Sequence, residues 1–213
     1  MAAQESEDPQ ALGGALWLLA QAHRDSGDFD AAEAVSRDGF SLLRPHMPGA
    51  GVGLRAMWGA LLFEAAYTSA RAGEAGAAWG WWDQADAAAR SLPPGHYDPI
   101  TSFSQVIMGA HAVTIAVETR QAGEAARQAR RADDAAIPSQ PRKGRHLIEI
   151  ARAHHLASDQ PAVLGALTRA YTAAPETIRY NEYARRMILQ LAHEPGSPGV
   201  GVRALAEQVG MAI

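Results

Sequence analysis

Short turns that contain glycine or proline interrupt this chain at regular intervals, and the sequence between them has helical periodicity. Alanine, the strongest helix former, supplies 46 of the 213 residues. The sequence has no long runs of β-branched and aromatic residues of the kind that build sheets. The chain is therefore predicted to be all-α, and its length gives enough material for a substantial core.

The turns divide the chain into about ten predicted helices, most of them in pairs. Asp8-Pro9 opens the first pair, because aspartate caps a helix and proline is favoured at its first position. The helices are expected at about 9–26, 28–43, 53–72, 75–91, 99–120, 122–134, 143–157, 160–173, 178–193 and 202–208. Residues 1–7 are expected to be a flexible segment and residues 8–213 a single domain.

Small residues recur at matching places in these pairs, where two helices would have to approach closely. The last full pair combines Ala151, His154, a Ser158-Asp159 turn, Ala170 and Pro175 in the order and spacing of a tetratricopeptide repeat. The chain resembles such a repeat protein, which implies a right-handed α-solenoid of degenerate repeats. The alternative is an alanine-rich helical bundle in which small residues recur by chance. Equivalent small positions in the four pairs are Ala32, Ala78, Ala125 and Val163.

Three segments, 144–154, 166–180 and 202–210, extend the likeness. They resemble the C-terminal tetratricopeptide-like domain of actinobacterial helix-turn-helix (XRE-type) transcriptional regulators. In that family an N-terminal helix-turn-helix domain reads DNA, whereas the helical pattern here begins by residue 10, so this chain is expected to lack the reader. The resemblance implies a sensing and dimerisation module, which we expect to be a homodimer that makes no direct nucleic-acid contact.

The first helix of each pair lines the concave face of a tetratricopeptide solenoid, which is the usual binding surface. Aromatic walls with a few arginines suit a small molecule or peptide, and paired hydrogen bonds from arginine suit its carboxylate. Alternatively, Trp17 and Phe63 belong to the core between repeats. The predicted groove comprises Trp17, Gln21, Arg24, Phe63, Glu64, Tyr67, Arg71, Ile107, His111, Thr114, Glu118, Arg145, Ile148, Arg152 and His155.

Glu64 and His111 occupy equivalent positions in neighbouring repeats. They are expected to approach each other and to orient polar groups of a ligand, with a cryptic acid–base pair as the alternative.

Three tryptophans fall within four positions of one predicted helix. Each residue turns the helix by about 100°, so Trp79, Trp81 and Trp82 cannot share one face. Trp79 and Trp81 are therefore candidates for an interface with a partner, and Trp82 for the core.

The sequence also excludes several chemistries. It has no cysteine, which removes disulfides, thiolate metal sites and cysteine nucleophiles. It contains no HExxH, Gly-x-Ser-x-Gly or phosphate-loop motif, and we expect no enzyme activity, cofactor or metal. His23 and His154 are expected to be core histidines.

The net charge is −4, whereas a protein that binds duplex DNA is expected to carry a basic patch. No apolar run has the roughly 20 residues of a membrane span, and the acidic start does not resemble a secretory signal, so we expect a cytoplasmic protein with no membrane contact. Two other functions stay open: a protein–protein interaction scaffold, and a metabolite-binding protein or enzyme that has lost its DNA reader.

Overall fold

The computed structural model describes residues 8–194 and 199–213, and within these ranges the protein is all-α with no β-strand. The predicted flexible segment 1–7 lies outside the described residues. Two 3₁₀ turns, Arg44–His46 and Asp134–Ala136, accompany the α-helices. The α-helices are α1 (Pro9–Ser26), α2 (Phe29–Leu43), α3 (Val52–Arg71), α4 (Ala75–Arg90), α5 (Ile107–Glu118), α6 (Ala122–Arg131), α7 (Gln140–Leu156), α8 (Gln160–Ala173), α9 (Pro175–Tyr180), α10 (Glu182–His193) and α11 (Gly199–Gln208).

The same turn joins four successive helix pairs, α1–α2, α3–α4, α5–α6 and α7–α8. The first helix of each pair ends in a left-handed residue, and the N–H of the following residue donates to a carbonyl five positions back. This is the Schellman arrangement, which satisfies the last carbonyls of a helix. The left-handed residues are Gly27, Gly73, Arg120 and Ser158, with φ of 85°, 87°, 55° and 57°.

The small positions that follow these turns are all closed to solvent. Ala32, Ala78 and Ala125 are 0% exposed and Val163 is 1% exposed. A methyl or isopropyl group at these sites allows the two helices of a pair to pack closely, as the sequence pattern predicts.

The chain divides into two compact units, one up to His111 and one from Ala112 onward, with the division inside α5. In the N-terminal unit, helices α1 to α4 pack around Leu43, Met57 and Leu61, which are all buried. Gly59 on α3 lies directly against the Phe103 ring, where a Cβ atom would come within 2.1 Å of a ring carbon. Phe103 therefore anchors the irregular segment before α5 to α3.

The C-terminal unit has its own apolar core, drawn from α7, α8, α10 and α11. Leu147, Leu167, Ile188 and Leu205 are among its fully buried side chains. None of the helices in the described ranges is long and apolar enough to cross a lipid bilayer.

The prediction of a helix from 99 to 120 is wrong in its first third, because α5 begins only at Ile107. The Asp98 carboxylate accepts hydrogen bonds from the Thr101 backbone N–H at 2.7 Å and from the Thr101 hydroxyl at 2.8 Å. Ser102 then takes a positive φ of 64°. A short polar side chain that binds its own backbone stabilises a turn in competition with a helix, and here the turn prevails.

The predicted helix 178–193 is also wrong, because two helices, α9 and α10, occupy this region. Asn181 between them is extended, and its side chain accepts from the N–H of Ala184, so it caps α10. Other ends differ by a few residues: α7 begins at Gln140 after a Ser139 cap, and α6 ends at Arg131. The described residues thus hold eleven α-helices where about ten were predicted.

Candidate functional site

Arg24 is the centre of a buried charged cluster in the N-terminal unit, the Arg24 cluster (Arg24, Asp25, Glu64 and Tyr67). It lies in the last turn of α1 and is 5% exposed. Its Nη1 donates to Glu64 Oε1 on α3, and its guanidinium carbon lies 4.2 Å from the centre of the Tyr67 ring. Its Nε and Nη2 donate to Asp25 Oδ1 at 3.2 and 3.1 Å. The α1–α3 packing therefore encloses a guanidinium, a carboxylate and an aromatic face.

The electrostatics of Arg24 follow from its burial. Burial on its own lowers the pKa of Arg24, but Glu64 opposes this most strongly, with Tyr67 and Asp25 adding to it, so the pKa lies above its ordinary value. Arg24 therefore carries its positive charge at any physiological pH.

An aromatic stack adjoins this cluster. Phe63 lies between Tyr67 and His111, with ring centroids 6.1 Å from the first and 3.4 Å from the second. His111 is 8% exposed. The structure thus brings five predicted groove residues into one assembly, in which Glu64 binds Arg24 and His111 stacks on Phe63.

The C-terminal unit holds a second cluster, the Arg152 cluster (Glu118, Glu149, Arg152 and Tyr183). Arg152 Nη1 on α7 donates to Glu118 Oε1 on α5 at 2.8 Å and to Glu149 Oε2 at 2.9 Å. The guanidinium carbon lies 3.8 Å from the centre of the Tyr183 ring on α10. One nitrogen therefore bonds two carboxylates while the guanidinium face covers an aromatic ring.

Two carboxylates that share one cation compete for it. Burial raises the pKa of Glu149, with Glu118 adding to the effect and Arg152 opposing it. Burial lowers the pKa of Arg152, but Glu149 and Glu118 raise it above its ordinary value. The surroundings of Glu149 thus disfavour its negative charge.

The other predicted groove residues differ widely in exposure. Ile107 and Ile148 are buried, at 2% and 1% exposure, and Ile148 belongs to the apolar core of the C-terminal unit. Arg145 and His155 are exposed on α7. The half-buried members are Trp17, Gln21, Arg71 and Thr114.

The three clustered tryptophans are all half-buried against their own chain. Trp81 stacks on Phe40 with centroids 5.3 Å apart, and Trp79 meets Trp82 edge-on at 5.7 Å. The Trp82 indole N–H donates to the Met108 carbonyl at 3.3 Å. Each ring thus has both an internal contact and a solvent-facing part.

The buried histidines are not the predicted ones. His23 and His154 are half-buried, whereas His146 is 3% exposed. Neither ring nitrogen of His146 has a hydrogen-bond partner among the described residues. Burial lowers the pKa of His146 to about 4, with Asp134 opposing and Arg169 adding to the shift. Across 8–194 and 199–213, no three acidic or histidine side chains gather as a metal site would require.

Sequence reasoning missed Tyr183 and His146. Tyr183 lies on a helix outside the four pairs, so no position within the repeat pattern pointed to its contact with Arg152. His146 lies two turns before His154 on α7, and only the packing of that helix shows which of the two is enclosed. Both assignments depend on contacts between helices that are distant in sequence.

The two clusters share a chemistry that suits recognition more than catalysis. Each combines a guanidinium, at least one carboxylate and an aromatic face, all held by helix packing. These groups bind and orient polar partners through charged hydrogen bonds. No protein-family model, curated protein or solved structure matches the chain, so these contacts carry the functional argument.

Proposed function

We propose that this chain is a ligand- or peptide-sensing and dimerising domain of a transcriptional regulator, built from tetratricopeptide-like repeats stacked as a right-handed solenoid. The observation that carries the proposal is a pair of helices that occurs four times along the chain. Each pair has the same left-handed turn between its helices and a small, buried residue at the same position after the turn. Repeats of this type present their first helices to a binding partner. The resemblance of segments 144–154, 166–180 and 202–210 to the XRE-type regulators supplies the regulatory role.

The placement of the charged and aromatic groups supports a sensing surface on those first helices. In the N-terminal unit, Arg24 and Asp25 lie on α1, and Glu64 and Tyr67 lie on α3. In the C-terminal unit, Glu118 lies on α5, and Glu149 and Arg152 lie on α7. The second helices of the four pairs contribute no member to either cluster. A ligand that carries an acidic group would find guanidinium and aromatic faces side by side there.

Sensing requires that the ligand bind one arrangement of the protein better than another. The Arg152 cluster offers such an exchange, because an acidic ligand would compete with Glu149 for the same guanidinium. Glu149 has a raised pKa, so it gives up its negative charge more readily than an ordinary glutamate. Release of Glu149 would leave Glu118 on α5 as the remaining carboxylate partner of Arg152, so the ligand and Glu118 would share the guanidinium.

Native mass spectrometry tests the proposal. The protein is first incubated with an extract of bacterial small molecules. We expect a mass of two chains together with a bound species that is lost on denaturation. We expect Arg152→Ala to lose the bound species. Arg186→Ala, which removes an exposed arginine on α10, is the matched control and should retain it.

A monomer without any bound species at the highest concentration would contradict the proposal. A dimer without bound species would contradict the sensing part and favour the protein–protein scaffold. A bound species that Arg152→Ala retains would contradict the assignment of the surface.

A further inference from the structure

A separate cleft opens on the N-terminal unit between α3 and α4. Its volume is about 350 Å³, near the lower end of the roughly 300–1,000 Å³ of small-molecule sites. None of its lining residues belongs to the predicted groove. The residues that define it here are Met47, Arg55, Trp58, Leu62, Gln84 and Ala87.

The cleft uses a different face of α3 from the Arg24 cluster. With about 100° between successive residues, Arg55, Trp58 and Leu62 fall within about 60° of one another around the helix. Glu64 and Tyr67 fall on the opposite side. The two faces of α3 therefore carry two independent sets of groups.

Arg55 has one edge of its guanidinium held and the other unused. Its Nη1 donates to the Ser91 carbonyl at 2.9 Å, which fixes the orientation of the planar group. Its Nε is buried and has no hydrogen-bond acceptor among the described residues. A buried N–H without an acceptor is rare in proteins, so this donor points to a partner that the chain does not itself supply.

The geometry of arginine then selects the partner. When Nη1 is occupied, Nε and Nη2 form the remaining edge, and two parallel N–H groups match the two oxygens of a carboxylate. Lysine has no equivalent edge, so the fork of Arg55 favours a bidentate acid.

The walls of the cleft are apolar and in part rigid. Trp58 is half-buried and meets Phe40 edge-on at 5.3 Å, and Phe40 itself stacks on Trp81. Leu62 is 3% exposed, and Met47 adds an adaptable thioether side. On the α4 side the small side chain of Ala87 lines the cleft.

We propose that this cleft binds a small planar aromatic carboxylate, with the acid on the Nε and Nη2 edge of Arg55 and the ring against Trp58. This site stands apart from the proposed sensing surface and does not depend on it, because the two share no residue.

Isothermal titration calorimetry with 2-naphthoate tests the site, and 2-naphthamide serves as the neutral analogue of the same shape. We expect naphthoate to bind at one site per chain and naphthamide to bind at least about tenfold more weakly, because the charged hydrogen bonds are lost. Absence of saturable naphthoate binding at millimolar concentration, or equal binding of the two compounds, would overturn the proposal.

Variants locate the binding within the cleft. Arg55→Gln should weaken naphthoate at least about tenfold, and Ala87→Trp should abolish binding by filling the cleft while Arg55 stays in place. Arg90→Gln removes a nearby exposed arginine on α4 and should bind as the unmodified protein does. Circular dichroism confirms folding, and if Arg55→Gln unfolds, Arg55→Lys and Ala87→Trp decide the matter. Unchanged affinity in the folded Arg55 variant and in Ala87→Trp would refute the site.

Discussion

The Arg24 and Arg152 clusters use the same three kinds of group but balance their charges differently. Arg24 binds the deeply buried Glu64, whose side chain is 4% exposed, and an Asp25 that is 64% exposed. Arg152 binds two shielded carboxylates, Glu118 at 9% and Glu149 at 16% exposure. In the Arg24 cluster one buried carboxylate pairs with one buried guanidinium, whereas in the Arg152 cluster two carboxylates share one guanidinium.

This difference separates a structural pair from an adjustable one. Removal of either member of a single buried ion pair is strongly destabilising, because the remaining group keeps an unpaired charge away from water. Where two carboxylates share a cation, one of them can take up a proton, which removes the repulsion between their negative charges. The raised pKa of Glu149 identifies it as that group. The N-terminal cluster is therefore expected to be rigid and the C-terminal cluster responsive.

Removal of Arg24 should produce the largest loss of stability. Arg24→Ala leaves Glu64 buried without this partner, and we expect the free energy of unfolding of the N-terminal unit to fall by about 3–5 kcal/mol. All five tryptophans lie before His111, so urea unfolding followed by tryptophan emission reports on this unit.

Arg37→Ala is the control, because it removes an exposed arginine paired with Glu33 and should cost less than about 1 kcal/mol. Arg152→Ala sharpens the comparison, since protonation of Glu149 should make its effect smaller than that of Arg24→Ala. An equal or greater loss for Arg152→Ala, measured by hydrogen exchange in α7, would remove the distinction between the clusters.

Local signals in the sequence predicted most of the helices. The all-α class, the turns at Gly27 and Ser158 and the closed position of Ala32 follow from propensity, capping and the spacing of small residues. The errors arose where a polar side chain had two local uses. Asp98 precedes the predicted helix 99–120 but stabilises a turn, and Asn181 lies inside the predicted helix 178–193 but caps a new helix.

The site was less accessible to such reasoning. The repeat pattern put Arg24 and Glu64 in the same predicted groove, and the structure brings the two into contact. The pattern had predicted an approach of Glu64 to His111 and had not predicted its contact with Arg24. The pattern could not indicate that Arg152 contacts Tyr183, or that the Nε of Arg55 is enclosed, because both depend on packing between helices remote in sequence. The balance of charges in a buried cluster depends on the three-dimensional packing, and the repeat pattern gives only the candidate residues.

A pH titration should reveal the next largest difference between the units. The pKa of His146 falls from 6.5 to about 4 on folding, so the unfolded chain binds its proton more tightly. The stabilisation is present above pH 6.5 and is lost as the pH falls toward 4, by about 3 kcal/mol in all.

Urea unfolding of the C-terminal unit between pH 7 and 4, followed by hydrogen exchange in α7, measures this loss. His146→Leu should flatten the dependence, whereas His155→Gln, at an exposed position on the same helix, should leave it unchanged. A steep dependence that persists in His146→Leu would assign it to other groups.

The anchor of the irregular segment in the N-terminal unit gives a smaller effect. Gly59→Ala would place a methyl group within 2.1 Å of the Phe103 ring, and we expect the displacement to cost about 1–3 kcal/mol. Gly80→Ala on α4 meets open space, so it should instead stabilise this unit by about 0.5–1 kcal/mol. Thermal unfolding of the two variants, followed by tryptophan emission, should shift in opposite directions, and a shift in the same direction would contradict a tight Gly59–Phe103 contact.

Neutralisation of Glu149 should have the smallest effect at neutral pH and the most informative pH dependence. The folded protein holds the Glu149 proton more tightly than the unfolded chain, whose value is about 4.5, so its contribution to stability is present below that pH and is lost as the pH rises through the folded-state pKa. Glu149→Gln removes this slope and keeps the bond between Arg152 and Glu118, so we expect a change within about 1 kcal/mol at pH 7.

Carbon-13 titration of the side-chain carboxyls provides the direct measurement. Glu149 should titrate above 4.5, and Glu124, whose pKa is lowered by the hydrogen bond from Arg127, should titrate below it. If Glu149 titrated below Glu124, Arg152 would hold it as a carboxylate, and the proposed difference between the two clusters would be refuted.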